Sequence, residues 1–541
     1  PERKRFNIQG PNNRAIHFTV PASERLPEFS QIFQQEKVLK IVAPPFFGKT
    51  TWLHEIVDGF NSGGDYYATY ISLAPLNGIV KTREAVLTLI GLLQEDLKSL
   101  LESQPQLQHQ ELFNVSHGSL GRDHYSTRGN PNFAIMSYLA RVSEAMDKPW
   151  ILFFDDTDAL IGPPLFNIIN QFQAGLNKCS QTNKRTFPMT LGLVGTRKKI
   201  TQLESFTNLG NPQSVIRTFL LNPRNLNAII LHLHSLTTLQ INSLFESFNQ
   251  DYPNRFSPEA IERIIYWANG HPYLVNRLAW QLLRQMKPVF SNQDVDDAAL
   301  TIAESDSPYV IFIKDRLKEQ RVIWVMDPIY SGTMSKIPRF GEDTQYAKEM
   351  GLINLDNDFR LLPASPLVNE VIVRELTNDL AGTLLTPLER SWTEGDTLFL
   401  TDLLITYQGL WLERKDYFFS RHAEFLVFQH VESVYAFITY AFLKKTLKKN
   451  AWVELDICEG RGFTNILISH GTKKYLVSVK IKEDPNISDS INQLAKHWVE
   501  TNVHEVWLTV FDSDKNKSLK DKVYYRTEKL LDDLFVHILG F

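Results

Sequence analysis

The sequence predicts an α/β protein: a parallel sheet with helices on both faces, then an all-helical stretch, then a second and separate α/β domain. Three observations predict it. Short apolar runs alternate with segments of helical spacing over residues 36–220, which is the pattern of strands joined by helical crossovers. One of those crossovers opens with the loop APPFFGKTT, which carries Gly48-Lys49-Thr50, directly after a strand. And at 541 residues the chain is too long for one hydrophobic core, so several packed units are expected.

The elements follow in order. EKVLKIV (36–42) reads as a buried strand. KTTWLHEIVDGF (49–60) then has helical spacing, with Trp52, Ile56 and Phe60 on one face. YYATYISL (66–73) is a second strand and 82–102 a long helix. Residues 103–130, rich in Gln, Ser, His, Gly and Asn without periodicity, read as an exposed insertion. A helix near 132–146 leads into the strand WILFFDD (150–156), and a helix at 163–177 into the strand MTLGLVG (189–195). SVIRTFL (214–220) is expected as one more strand.

From 223 to 304 the pattern is helices only, broken at Gly270-His271-Pro272. DTQYAKEMGLINLDNDFRLLPASPLVNEVIVREL (343–376) reads as helix, strand, Asp-Asn turn, strand, helix, the winged-helix pattern. Residues 379–415 look like a connector. Beyond them come a long helix near 424–448, strands at 452–458, 464–469 and 475–481, a helix at 488–501 and a strand at 504–511.

Bulk properties narrow the function. The net charge of −4 gives no global positive field, so charge does not indicate a nucleic-acid partner. Cys179 and Cys458 stand far apart and outside any CxxC pattern, which supports neither a disulfide framework nor a zinc site. No apolar run approaches the roughly 20 residues that span a bilayer. PERKRFNIQG has no apolar signal segment, and a cytoplasmic location is expected.

The chemistry concentrates at one loop. A P-loop reads GxxxxGK[ST]; here the stretch is Ala43-Pro44-Pro45-Phe46-Phe47-Gly48-Lys49-Thr50, with Thr51 following. Backbone N–H groups of such a loop face phosphates, and Gly48 permits close approach. The Lys49 ammonium would bridge β and γ oxygens, and the Thr50 hydroxyl would ligate magnesium. ATP and Mg2+ are therefore the expected cofactors. Ala43 in place of the first glycine weakens the match; the strand before, the helix after and the acids at 155–156 restore it. The bland alternative is an ordinary strand–turn–helix connection.

The strand ILFFDD ends in Asp155 and Asp156. Asp155 is assigned to the metal and Asp156 to orienting the attacking water, with Asp158 as a cap of the next helix. Arg197, after the strand 189–195, either reaches a phosphate or lies on the surface at a helix start. Gly270-His271-Pro272 either folds over the base, with Pro272 touching the nucleotide, or only separates two helices.

With these residues in hand, the chain resembles bacterial AAA-like ATPases, related to the signalling ATPases, that carry a C-terminal PD-(D/E)XK nuclease-like domain. FNIQGPNNRAIHFTVPASERLPE looks like the family's leader, which helps to enclose the nucleotide. VAPPFFGKTT resembles its P-loop, in which Ala43 is normal and Pro45, Phe46 and Phe47 depart from the usual polar residues. FFDDTDAL resembles its Asp-Glu-x-Asp-Ala-Leu segment, with Asp156 where the family has Glu. LGLVGTR and GHPYLVNRLAWQL look like the sensor strand and the lid.

The resemblance implies these units: an ATPase core with leader (1–222), a helical lid (223–304), a winged helix (305–378), a connector (379–415) and a nuclease-like domain (416–541). In the last, Glu432 matches the helix glutamate, Gln493 the later glutamine and Lys480 the lysine. The two strand carboxylates fall on Asn465 and Ser478, so the domain is expected to be degenerate and to bind rather than cut. The expected activity is an ATP-dependent conformational switch with ATP or ADP and a protein as partners. The rivals are an ATP-gated metal-dependent nuclease and a scaffold or effector that never hydrolyses ATP.

Overall fold

The computed structural model describes residues 3–35, 37–103, 130–181, 186–196, 228–252, 255–331, 341–355, 361–384, 391–421, 431–447, 450–456, 464–481, 491, 494, 503–512, 518–531 and 534–541. The expected insertion at 103–130 and strand at 214–220 lie almost wholly or wholly outside them, as do Arg197, the 356–357 turn and Gln493. The chain divides into two compact units, Pro1–Ala298 and Ala299–Phe541.

The first unit is built on β1 (Val38–Val42), α1 (Lys49–Gly63), β2 (Tyr67–Ser72), α2 (Thr82–Ser103), α3 (Ala134–Ala145), β3 (Trp150–Asp155), α4 (Gly162–Gln181), β4 (Thr190–Gly195) and β5 (Ile229–His232). All five strands are parallel, in the order β2-β3-β4-β1-β5. Because β1, β3 and β4 are covered on both faces, every one of their residues is buried, and their sequences are continuous apolar runs rather than alternating ones. β1 lies near the centre and β4 separates it from β3, so the loops leaving β1 and β3 open at the same sheet edge, one strand apart.

β5 corrects the expectation that 223–304 is helical throughout. It is an edge strand with three of its four residues exposed, so it lacks the apolar run that marks the inner strands. After it come α5 (Thr238–Asp251), α6 (Pro258–Ala268) and α7 (Pro272–Leu283). α5 starts with a full capping box between Thr237 and Gln240. α6 starts on Ser257, with Pro258 at its first position, and stops where Asn269 and Gly270 take left-handed backbone. The leader binds this helical group: Phe6 packs its ring against Phe18, Phe245 and Phe248 at 5.2–5.4 Å.

The second unit opens within a helix that spans Asn292–Glu304 and continues with α8 (Pro308–Leu317) and α9 (Gln320–Ser331). The order helix, strand, strand, helix then appears as α10 (Glu342–Glu349), β6 (Ile353–Leu355), β7 (Leu361–Pro363) and α11 (Pro366–Leu384), with β6 and β7 antiparallel. The expected connector is instead structured. It holds the end of α11, a small hairpin of β8 (Thr393–Glu394) and β9 (Thr397–Leu398), and α12 (Leu400–Arg421). α12 is no spacer: Tyr407 packs on Phe541 and Trp411 on Phe511, both at 5.3 Å. α13 (Val431–Leu447) follows, and its Lys444 pairs with the buried Glu370 of α11, which also holds Arg374.

The C-terminal sheet contains β10 (Trp452–Asp456), β11 (Thr464–His470), β12 (Lys473–Ile481), β13 (Glu505–Phe511), β14 (Tyr524–Leu531) and β15 (Leu534–Gly540), in the order β10-β11-β12-β13-β15-β14. β12, β13 and β15 are parallel neighbours and the other pairs are antiparallel. β14 and β15 went unread in the sequence; FVHILGF lacks the strict apolar–polar alternation that marks a half-buried strand.

Candidate nucleotide site

The loop from β1 to α1 forms a cradle. Phe46 and Gly48 both take left-handed backbone, φ 60° and 81°. Glycine does so without strain, whereas a phenylalanine there costs on the order of 1 kcal/mol. Contacts hold it in place. The Phe46 ring, 37% exposed, lies 5.4 Å from that of Tyr273 on α7, and the Phe47 ring meets His271 edge-on at 5.1 Å. The departure from polar residues at 46–47 thus seats the loop against the start of α7.

Lys49 is half-buried. Its ammonium donates to the carbonyls of Ala43 and Pro44, both at 3.0 Å, and to Thr196 Oγ1 at 3.4 Å. Burial holds its pKa below the usual lysine value, against the opposing pull of Asp158, Asp155 and Asp156. The Thr50 hydroxyl donates to Asp155 Oδ2 at 2.7 Å across 105 residues of sequence. Asp155 is 1% exposed, and its burial pushes the carboxyl up, with the Thr50 bond acting the other way. Hydroxyl and carboxylate oxygens side by side are the donor set a hard divalent cation takes, so these residues fit magnesium.

Asp156, exposed and at φ 54°, accepts from Ser72 Oγ at 2.7 Å. Asp158 accepts from the backbone N–H of Thr196, and Thr157 donates to Val194 O at 3.0 Å. Asp158 is therefore tied to the end of β4, where a Cβ on Gly195 would lie 2.4 Å from Thr157 Oγ1. Only glycine fits there.

Sequence reasoning missed Arg25. Only 7% exposed, it sits behind the loop, donating to His234 O at 2.9 Å and to Phe47 O at 3.0 Å, with its guanidinium 5.6 Å over the Phe47 ring. Burial brings its pKa down to about 10. No carboxylate among the described residues lies within 4 Å of it. Its neighbour His271 is held neutral, its pKa brought down to about 3 by burial and by the Arg25 charge.

Beside Gly48 opens a small cleft. The leader contributes Asn12 and Val20 to its lining, α1 contributes Thr51 and Trp52, and α7 contributes Pro272 and Asn276. Asn12 N donates to Thr51 Oγ1 at 3.0 Å and Arg14 pairs with Glu55 at 3.0 Å, which clips the leader to α1. The cleft thus reaches the β1–α1 loop at Gly48 and Thr51, and Pro272 is among its lining residues.

In the C-terminal sheet Asn465 and Ser478 are directly opposed on β11 and β12, and both are 0% exposed. Lys480 lies two residues along β12, on the same face and partly exposed. Glu432 falls on α13.

A parallel sheet with a phosphate cradle at the end of its inner strand β1 is the P-loop ATPase core fold, and a separate sheet domain follows it. Among solved structures the chain is similar to the Walker-type ATPase PABY2304 of Pyrococcus abyssi, with 14% identity over 68% of this chain and 99% of that one and a TM-score of 0.46. It is also similar to CDC6P from Pyrobaculum aerophilum (14%, 67% and 98%, TM-score 0.32) and to the Thermotoga maritima RuvB Holliday junction branch migration motor (14%, 63% and 89%, TM-score 0.28). No family model and no curated protein matches the chain. The fold stands on the sheet order and on the loop's own geometry. No described helix is long and apolar enough to cross a membrane.

Proposed function

We propose that the protein binds and hydrolyses ATP with magnesium and uses the cycle to move its lid against its core. The observation that carries this reading is the Thr50–Asp155 hydrogen bond of 2.7 Å beside the Lys49 ammonium. A hydroxyl from the loop and a carboxylate from a strand 105 residues on meet where a magnesium–phosphate unit would sit. When bound, the magnesium would be held by Thr50 and Asp155 and would neutralise phosphate charge.

The chain's own residues then have separate tasks. Lys49 exchanges the Ala43 and Pro44 carbonyls for phosphate oxygens. Asp156, steadied by Ser72, orients water; its side chain is one methylene shorter than the glutamate of the resembled family, which favours slow turnover. Thr196, already within reach of Lys49, senses the terminal phosphate, and Arg197 is proposed to assist it. Leader and lid close on the nucleoside in the cleft, and Phe46–Tyr273 and Phe47–His271 link the phosphate loop to the lid.

We read 343–376 as a winged helix on its element order, and 416–541 as a nuclease-like domain kept for binding. Neutral Asn465 and Ser478 stand opposite one another where two carboxylates would have to gather a metal.

Binding of a fluorescent ATP analogue and phosphate release by the full chain test this reading. Lys49→Ala should weaken magnesium-ATP binding at least a hundredfold with an unchanged circular dichroism spectrum. Asp156→Asn should keep binding within about threefold and slow hydrolysis roughly a hundredfold. Unchanged affinity in a folded Lys49→Ala variant would refute the assignment. Equal loss of binding and hydrolysis in Asp156→Asn would make that residue a ligand or a structural support.

A further inference from the structure

Two residues that line the cleft beside Gly48 each carry a buried polar atom with no hydrogen-bond partner among the described residues: Asn276 Oδ1 and Trp52 Nε1. Both residues are deeply buried, Asn276 at 6% exposure and Trp52 at 2%. An unpaired buried donor or acceptor is costly, and native proteins rarely keep one without a use for it.

Asn276 is also fixed in direction. Its Nδ2 donates to Pro272 O at 2.9 Å, one turn back along α7. Flipping the carboxamide would bring two carbonyl oxygens together, so Asn276 is an acceptor at its free end. Trp52 Nε1 can only donate. The lining is mixed: Val20, Leu236, Leu244 and Pro272 offer apolar surface to the faces of a planar ring, beside polar Asn12, Thr19 and Thr51 and charged Arg25 and Glu55.

Resting on the nucleotide reading above, we propose that Asn276 and Trp52 select the base. Asn276 Oδ1 accepts from the exocyclic amine of adenine, and Trp52 Nε1 donates to a ring nitrogen of the same base. A 6-oxo purine brings a carbonyl to the Asn276 oxygen and leaves two buried acceptors facing each other. Rejection of such a base is expected to be roughly ten- to hundredfold.

Titration of the full chain with ATP, inosine triphosphate and 2′-deoxy-ATP tests the proposal, because inosine triphosphate differs from ATP only in a 6-oxo group, with its ring proton, for the amine. ATP and 2′-deoxy-ATP should bind alike, and inosine triphosphate ten- to hundredfold more weakly. Asn276→Leu should bring ATP down to the inosine level and leave inosine triphosphate unchanged. Trp52→Phe, which keeps the ring packing, should weaken ATP several-fold, and it carries the test if the leucine variant does not fold.

Equal affinity for ATP and inosine triphosphate, in binding that still requires Lys49, overturns base selection and leaves the nucleotide reading intact. Discrimination against 2′-deoxy-ATP in place of inosine triphosphate also overturns it, by putting Asn276 on the ribose. Binding of none of the three, or binding indifferent to Lys49→Ala, removes the nucleotide reading itself.

Discussion

Arg25→Met separates what holds the phosphate loop from what the loop holds. The guanidinium is buried, and its pKa falls from 12.5 to about 10. At about 1.4 kcal/mol per pKa unit, that shift is a desolvation cost of about 3 kcal/mol. Against it stand two charge-assisted hydrogen bonds, to His234 O and Phe47 O, each contributing roughly 1.5–3 kcal/mol. The two sides nearly cancel, and a methionine of similar length fills most of the space. The variant should therefore lose only about 1–3 kcal/mol in urea denaturation without nucleotide. With nucleotide present the balance differs, because the phosphates supply the anion that the buried cation lacks. The extra stability conferred by saturating magnesium-ATP should shrink by about 1.4 kcal/mol or more, a tenfold loss of affinity. Paired urea melts with and without nucleotide read both quantities. Loss of more than about 5 kcal/mol in the nucleotide-free protein would refute the cancellation and make Arg25 a structural keystone. An undiminished ATP effect would remove it from the nucleotide site.

Two further perturbations follow. Asp96 on α2 bonds Thr69, whose hydroxyl also accepts from Trp150 Nε1, and burial lifts its pKa to about 7. The fold thus favours its neutral form: this contribution is full below about pH 3.8 and is lost as pH rises to about 7. Asp96→Asn should raise stability by about 2–4 kcal/mol at pH 8 and by little at pH 4; an equal gain at both would show that the Thr69 bond, and not burial, governs the site. The full chain should show no metal-dependent cleavage of DNA or RNA, and Asn465→Asp with Ser478→Glu should be destabilised by several kcal/mol until manganese is added. Robust cleavage by the wild type, lost in Lys480→Ala, would restore the nuclease reading.

Much of the core was legible because inner parallel strands are apolar on both faces, as VLKIV and ILFFD are. The phosphate loop could be read for a related reason: its chemistry is local, and strand, loop and helix are consecutive. β5 was missed because an edge strand carries little of that signal, and α12 because a connector-like start hid Tyr407 and Trp411, whose apolar partners lie at 511 and 541. The cleft was only half legible. Pro272 and Thr51 follow from their motifs, whereas Arg25, Trp52 and Asn276 acquire meaning from neighbours far away in sequence. In the sequence Trp52 reads as one more apolar position of an amphipathic helix, and its idle N–H appears only once its surroundings are known.

That distance has a consequence for biosynthesis. Arg25 waits for a carbonyl 209 residues downstream, and Glu24 for a glutamine 216 residues downstream. Closing a loop of that size costs on the order of 5 kcal/mol of chain entropy, so the leader's contacts to the lid form later than its nearer ones to Phe47, Thr51 and Glu55. At ribosomal rates of about 5–20 residues per second, its binding surface on the lid emerges roughly 10–40 seconds after the leader itself. A nascent chain can therefore complete its sheet and its β1–α1 loop while the cleft beside Gly48 does not yet exist. On the proposed function, a ribosome-bound core would not take up nucleotide before its lid is made.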